Sequence, residues 1–211
     1  MQLKIKICGI TNPADALAAA AAGADALGFM FYEPSPRWVP PETAARITRQ
    51  LPPFIARVGV FVDASEDFIR RAIAECGLDA LQFHGSEPPE FCRRFHRAAI
   101  KAIRVRDLDS LAVLPSYDTS AWLLDSYVPG QSGGTGRRFN WELAGEAKKL
   151  GCPILLAGGL APENIAEAVR AVRPYGVDVS SGVESAPGRK DPAKLRAFIQ
   201  AARSAAAGAD D

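Results

Sequence analysis

Histidine is scarce in this 211-residue chain, with two copies, and the four cysteines (Cys8, Cys76, Cys92, Cys152) form no CxxC pair. Such scatter suggests neither a disulfide framework nor a zinc site. Neither sign of charge is in excess: Lys+Arg number 25 against 24 Asp+Glu, a formal net charge of +1. No global field would therefore draw nucleic acid or an anionic membrane, and an anionic ligand has to be held by a local site. No apolar stretch approaches the roughly 20 residues of a membrane span. The opening Met1-Gln2-Leu3-Lys4-Ile5-Lys6 runs straight into a strand pattern and lacks the apolar run and cleavage site of a secretion signal. The expected setting is a reducing cytoplasm, with no nucleic-acid or membrane partner.

What is present is a regular alternation. The strand candidates are 3–7, 25–30, 55–61, 79–83, 99–103, 121–125, 153–157 and 176–180. Several are nearly continuous apolar runs, as strands covered on both faces require. Between them lie helical stretches near 13–22, 41–50, 65–76, 88–96, 107–114, 140–150, 162–172 and 191–206. Asn12-Pro13, Pro40-Pro41-Glu42, Ser65-Glu66, Pro162-Glu163 and Asp191-Pro192 each supply a cap or a first-turn proline. Eight βα units without a linker favour a closed single (β/α)8 barrel over an open doubly wound sheet, within the α/β class. The barrel is expected to occupy 1–203, with 204–211 a small, polar tail that frays.

Barrel chemistry sits on the loops that follow the strands. Unusual residues should cluster there, and they do: Cys8-Gly9, the Arg37 loop, Asp63, Gln82, His84-Gly85, Asp125, Gly158-Gly159 and Ser180-Ser181-Gly182 all fall at or just after strand ends. The last places are joined by Gly133-Gly134-Thr135-Gly136, in the long loop after the sixth strand. Any one glycine pair reads as an ordinary tight turn. Three glycine-bearing loops converging on one rim read as a phosphate cradle, because glycine lets backbone N–H groups approach an anion. Gly134, Gly158, Gly159, Ser180, Ser181 and Gly182 are the expected phosphate-binding residues, for a small phosphorylated ligand.

Two groups stand out for proton transfer. Cys76, Cys92 and Cys152 read as small core residues. Cys8 differs in its place at the barrel mouth, with Lys6 two residues back on the same side of the strand. A nearby ammonium would favour the thiolate, the form able to act as base or nucleophile. Position leaves core thiol and working thiol both open. Asp125 ends Trp122-Leu123-Leu124-Asp125 and is either a loop cap or an acid, with desolvation at the mouth able to raise its pKa. His84 reads as hydrogen-bonded support, and His96, in an arginine-rich stretch, as exposed. Arg37, in the proline-stiffened Ser35-Pro36-Arg37, could grip a carboxylate bidentately or pair on the surface.

In order along the chain, Lys6-Ile7-Cys8-Gly9-Ile10-Thr11, Gly23-Ala24-Asp25-Ala26-Leu27-Gly28-Phe29, Ser35-Pro36-Arg37, Val58-Gly59-Val60-Phe61-Val62 and Gln82-Phe83-His84-Gly85 stand together with Leu123-Leu124-Asp125 and Gly133-Gly134-Thr135-Gly136. Leu156-Ala157-Gly158-Gly159-Leu160-Ala161-Pro162-Glu163-Asn164 and Asp178-Val179-Ser180-Ser181-Gly182-Val183-Glu184 complete the set. This combination resembles the phosphoribosylanthranilate isomerases over essentially the whole chain to about Phe198. Glycine motifs alone are shared by many phosphate-binding barrels; Cys8, Arg37 and Asp125 together are specific. The resemblance implies an Amadori rearrangement of N-(5-phosphoribosyl)anthranilate, with Cys8 as general base and Asp125 as general acid. It further implies that Arg37 faces the anthranilate carboxylate, with Gln82 and His84 beside the substrate. No metal and no organic cofactor is implied, and the state could be monomer or homodimer. One departure is Phe83, where relatives often carry leucine. Two other readings compete. The related isomerase of histidine synthesis resembles two half-barrels with duplicated phosphate loops, and no second cradle stands in the N-terminal half here. A catalytically silent phosphosugar-binding module would not need both proton-transfer residues.

Overall fold

The computed structural model describes residues 2–126 and 141–208. Eight parallel strands close into a barrel: β1 (Lys4–Cys8), β2 (Ala26–Met30), β3 (Ala56–Phe61), β4 (Ala80–Phe83), β5 (Ala98–Val105), β6 (Ala121–Ser126), β7 (Ile154–Leu156) and β8 (Gly176–Val179). Closure is explicit in the register, since β1 pairs with β2 through Lys6↔Ala26 and with β8 through Lys6↔Asp178. Each expected strand has its counterpart.

Alternation along β1 sets up the whole site. Ile5 and Ile7 are fully buried in the apolar layer that also contains the helix residues Ala16, Ala19 and Phe198. Lys6 and Cys8 therefore face the other way, into the barrel. The lumen is filled by a second, smaller cluster of Val58, Ile100, Ala102, Ala121, Leu123, Leu155 and Ala157. Its three alanines, Ala102, Ala121 and Ala157, take up little of that space.

The outer layer consists of α1 (Pro13–Ala22), α2 (Pro41–Thr48), α3 (Glu66–Cys76), α4 (Pro89–Cys92), α5 (Trp141–Lys148), α6 (Ile165–Val172) and α7 (Pro192–Ala207). Caps fix their starts: Asn12 Oδ1 accepts from Asp15 N at 2.9 Å, and Asp191 Oδ1 accepts from Ala193 N at 2.8 Å. Each such cap typically stabilises by about 1 kcal/mol.

Two helical expectations fail for visible reasons. Over 88–96 the helix stops at Cys92, and the chain turns at His96, with φ of 50°. Leaving the helix there brings Phe95 onto Phe83 and Phe91, with ring centroids 5.8 and 5.3 Å apart. Phe83 thus belongs to the outer layer, away from the lumen. Over 107–114 no α-helix forms; the crossover is two 3₁₀ turns, Asp109–Leu111 and Leu114–Ser116. Ser110 Oγ accepts from Arg106 N and Asp107 N and donates to Asp107 Oδ1, local bonds that compete with a helical ladder, and Pro115 has no N–H to contribute. A third correction concerns the tail. Residues 204–207, expected to fray, are the last turn of α7, because Ala205 continues the buried face of Phe198 and Ala202. Among the described residues no helix is long and apolar enough to cross a membrane.

Candidate active site

Cys8, the last residue of β1, is buried, with 6% of its surface exposed. On the same face Lys6 Nζ donates to Asp178 Oδ1 at 2.8 Å, and both of these side chains are buried too. Space for the pair comes from β2: a Cβ on Gly28 would lie 2.8 Å from Cys8 Sγ and 3.0 Å from Lys6 Nζ. Burial pushes the Cys8 thiol above the ordinary thiol range, the Lys6 ammonium pulls it down, and Asp178 adds to the rise. Lys190 is a second, weaker downward pull. Lys6 does favour the thiolate, as expected, but burial, with the Asp178 charge beside Lys6, outweighs it. Burial also disfavours the Lys6 ammonium, but Asp178 and Cys8 together hold its pKa above the ordinary value.

Asp125 stands in β6, in register with Arg104 of β5. Strands β7 and β8 separate it from β1 around the barrel. Its Oδ2 is 3.4 Å from His84 Nε2, and His84 Nδ1 is 3.0 Å from Gln82 Nε2. An amide nitrogen donates, so Gln82 Nε2 makes His84 Nδ1 the acceptor, and the other ring nitrogen, Nε2, faces Asp125. Gln82 is almost fully buried, and its Oε1 has no hydrogen-bond partner among the described residues. The His84 loop is held from behind. Glu87 accepts from Asp63 N at 2.9 Å, Gly85 N at 3.0 Å and Lys101 Nζ at 2.8 Å, and Lys101 also donates to Gly85 O at 2.7 Å. Glu87 and Lys101 are both buried, so removing one would leave the other as an unpaired buried charge.

The loops after β7 and β8 meet closely. Gly158 and Gly159 have successive φ values of 80° and 64°, a left-handed pair that side chains rarely adopt. Asn164 ties this loop down, donating from Nδ2 to Gly159 O at 2.9 Å and accepting at Oδ1 from Ala161 N. Gly182 packs against it so tightly that a Cβ would run into the Leu160 carbonyl oxygen. Ser180 Oγ is buried without a hydrogen-bond partner among the described residues. Ser181 opens the 3₁₀ turn Ser181–Val183 that follows. Gly134 and its neighbours lie outside the described residues.

Arg37 is paired, and not at the surface. Its Nε and Nη2 donate to Glu184 Oε1 and Oε2 at 2.9 and 2.7 Å, and Glu184 also accepts from Lys190 Nζ at 2.8 Å. Glu184 begins β9 (Glu184–Ala186) and Lys190 ends β10 (Arg189–Lys190), the two strands of a short hairpin beyond β8. Burial opposes the Glu184 charge, yet Arg37 and Lys190 hold its carboxyl below the usual range. Neither Glu184, Lys190 nor Asp178 was singled out from sequence. Signals existed: Pro187-Gly188 between two charged residues marks a hairpin, and Asp178 precedes Ser180 at a spacing of two, on the same strand face.

A parallel eight-stranded barrel carrying a thiol, a carboxylate and glycine loops at the C-terminal ends of its strands is a barrel enzyme of the kind that works at that rim. Comparison with known proteins narrows the class. Residues 5–201 match the family described as N-(5'phosphoribosyl)anthranilate (PRA) isomerase. The chain belongs to the N-(5'-phosphoribosyl)anthranilate isomerase family. It is 58% identical over 200 residues to the N-(5'-phosphoribosyl)anthranilate isomerase of Geobacter sp. (strain M21), covering 95% of this chain and 98% of that one. Among solved structures, phosphoribosyl anthranilate isomerase from Thermotoga maritima superposes with a TM-score of 0.92 at 43% identity, covering 96% of this chain and 99% of that one. A phosphoribosyl anthranilate isomerase in complex with reduced 1-(o-carboxyphenylamino)-1-deoxyribulose 5-phosphate superposes with a TM-score of 0.88 at 41% identity, over 96% of this chain and 99% of that one.

Proposed function

We propose that this chain converts N-(5-phosphoribosyl)anthranilate into 1-(2-carboxyphenylamino)-1-deoxy-D-ribulose 5-phosphate, the isomerase step of tryptophan biosynthesis. The observation that carries the reading is the common rim: Cys8 closes β1 and Asp125 stands near the end of β6, with Arg37 and the β7 and β8 loops around them. Asp125 gives a proton to the ribose ring oxygen, and the ring opens to a Schiff base. Cys8, as thiolate, removes the C2 proton to leave an enolamine. That species gains a proton at C1 and loses one from the C2 hydroxyl, so the product has the composition of the substrate. His84 and Gln82 set the orientation of Asp125. Lys6 and Lys190 are the cations that favour the thiolate when it forms.

The substrate phosphate is assigned to Gly158, Gly159, Ser180, Ser181 and Gly182, and the ring carboxylate to Arg37. The protein is taken to work in the cytoplasm as a monomer or homodimer; a related structure from Thermotoga maritima is of monomers generated from an enzyme described as dimeric. The test is the loss of fluorescence of phosphoribosylanthranilate, generated in situ because it is labile, on adding purified protein. Protein-dependent loss with formation of the ribulose product is expected. Binding of the reduced product without turnover would instead mark a silent phosphosugar-binding module.

A further inference from the structure

Arg37 does not stand free at the rim. Its stem lies across the backbone next to Cys8, so close that a Cβ on Gly9 would sit 2.6 Å from Arg37 Cδ. Its guanidinium is gripped along one edge by Glu184, through Nε and Nη2. Glu184 has itself no freedom: its side chain is 5% exposed, and Lys190, fully buried, donates to it at 2.8 Å and to Ser180 O at 3.2 Å. The hairpin bearing both residues is pinned to the β1 side. Thr11 Oγ1 donates to Gly188 O at 2.6 Å, and Lys190 N donates to Asp15 Oδ2 at 2.8 Å.

An arginine offers five N–H donors, and two are taken here, so three remain among the described contacts, including an Nη1–Nη2 pair suited to a second carboxylate. Arg37 and Lys190 supply two positive charges and Glu184 one negative, leaving one net positive charge in a buried cluster. One ligand carboxylate would neutralise it. We infer that Glu184, locked by Lys190, is the positioning residue for carboxylate recognition: it holds Arg37 by one edge and presents the other to the substrate. This rests on the proposed function, since it takes the carboxylate to be that of the anthranilate ring. An unheld arginine would have to order its long side chain on binding, and a held one does not.

The experiment measures dissociation constants by calorimetry for two probes. One is reduced 1-(2-carboxyphenylamino)-1-deoxyribulose 5-phosphate; the other is its anilino counterpart, lacking the ring carboxylate. The parent protein should favour the carboxylate probe by about ten-fold or more, the usual value of a charge-assisted hydrogen bond. In Glu184→Gln, whose amide cannot accept from both Nε and Nη2, most of that preference should vanish. Glu184→Asp keeps the charge but withdraws the carboxylate by one methylene, and it should lose the preference too; it carries the test if the Gln variant folds poorly. Both variants should bind the anilino probe within about two-fold of the parent, which a general collapse of the rim would not allow. A preference kept or increased in Glu184→Gln would overturn the inference, because Glu184 would then be competing with the ligand for Arg37. No preference in the parent would instead remove Arg37 as carboxylate receptor, a failure of the underlying reading.

Discussion

The Lys6 ammonium and the Asp178 carboxylate are 2.8 Å apart inside the barrel, on neighbouring strands, two residues from Cys8 on the same face. Lys6 therefore serves two anions at once. Asp178 holds it charged, which helps Cys8 ionise, while the Asp178 charge itself opposes a thiolate. Which effect wins can be read chemically.

Alkylation of Cys8 by iodoacetamide, followed against pH, should show a midpoint above the ordinary thiol value, since burial raises it. Lys6→Met removes the main downward pull and should move the midpoint up. Asp178→Asn removes an upward one and should move it down. Reduced product should shield Cys8 from the reagent. A Lys6→Met midpoint equal to the parent's would take Lys6 out of the account.

The loop after β7, proposed to hold the phosphate, gives an independent prediction. Gly159 has φ of 64° in a loop tied down by Asn164, so Gly159→Val should strain the backbone by roughly 1–3 kcal/mol and crowd the cradle. Weaker binding of reduced product and of inorganic phosphate is expected, with a cooperative melt retained. Parental affinity for both ligands would move the phosphate site elsewhere.

The barrel, all eight strands and most helix starts were legible in the sequence, because apolar runs, caps and prolines are local signals. The fifth crossover was not. Nothing in the apolar pattern of 107–114 reveals that Ser110 spends its hydroxyl on its own neighbours. The rim positions of Cys8 and Asp125 were legible because strand ends mark the chemistry of a barrel. What holds Arg37 was not, since Glu184 is distant in sequence and reaches it only through a hairpin closed by Gly188. The raised Cys8 thiol was missed for a related reason: burial is a property of the whole barrel, whereas Lys6 is visible two residues away.

Alkaline stability follows from the other thiols. Burial raises Cys76 and Cys92 to about 11 from an ordinary value near 9. Below the ordinary value both folded and unfolded chains keep these protons, and no pH dependence arises. Between about pH 9 and about pH 11 the unfolded chain loses them first, so stability falls as pH rises, by up to roughly 2–3 kcal/mol per thiol. Denaturant midpoints of Cys76→Ala and Cys92→Ala should decline less steeply over that window than the parent's. Parallel declines would show that the thiols do not titrate differently on unfolding.

The division of labour between Cys8 and Asp125 is the centre of the account, and turnover of Cys8→Ser and Asp125→Asn beside the parent tests it most directly. Serine keeps the shape of cysteine but is a far weaker acid, so it should be a poor base for the C2 proton. Asparagine can still hydrogen-bond to His84 but has no carboxyl proton to deliver to the ring oxygen. Each variant should lose roughly 10²–10⁴-fold in kcat while binding reduced product as the parent does. With C2-deuterated substrate, Cys8→Ser should show the larger isotope effect, because proton removal limits it, whereas ring opening limits Asp125→Asn. Near-parental kcat in either variant would contradict the role given to that residue, and near-parental kcat in both would contradict the mechanism.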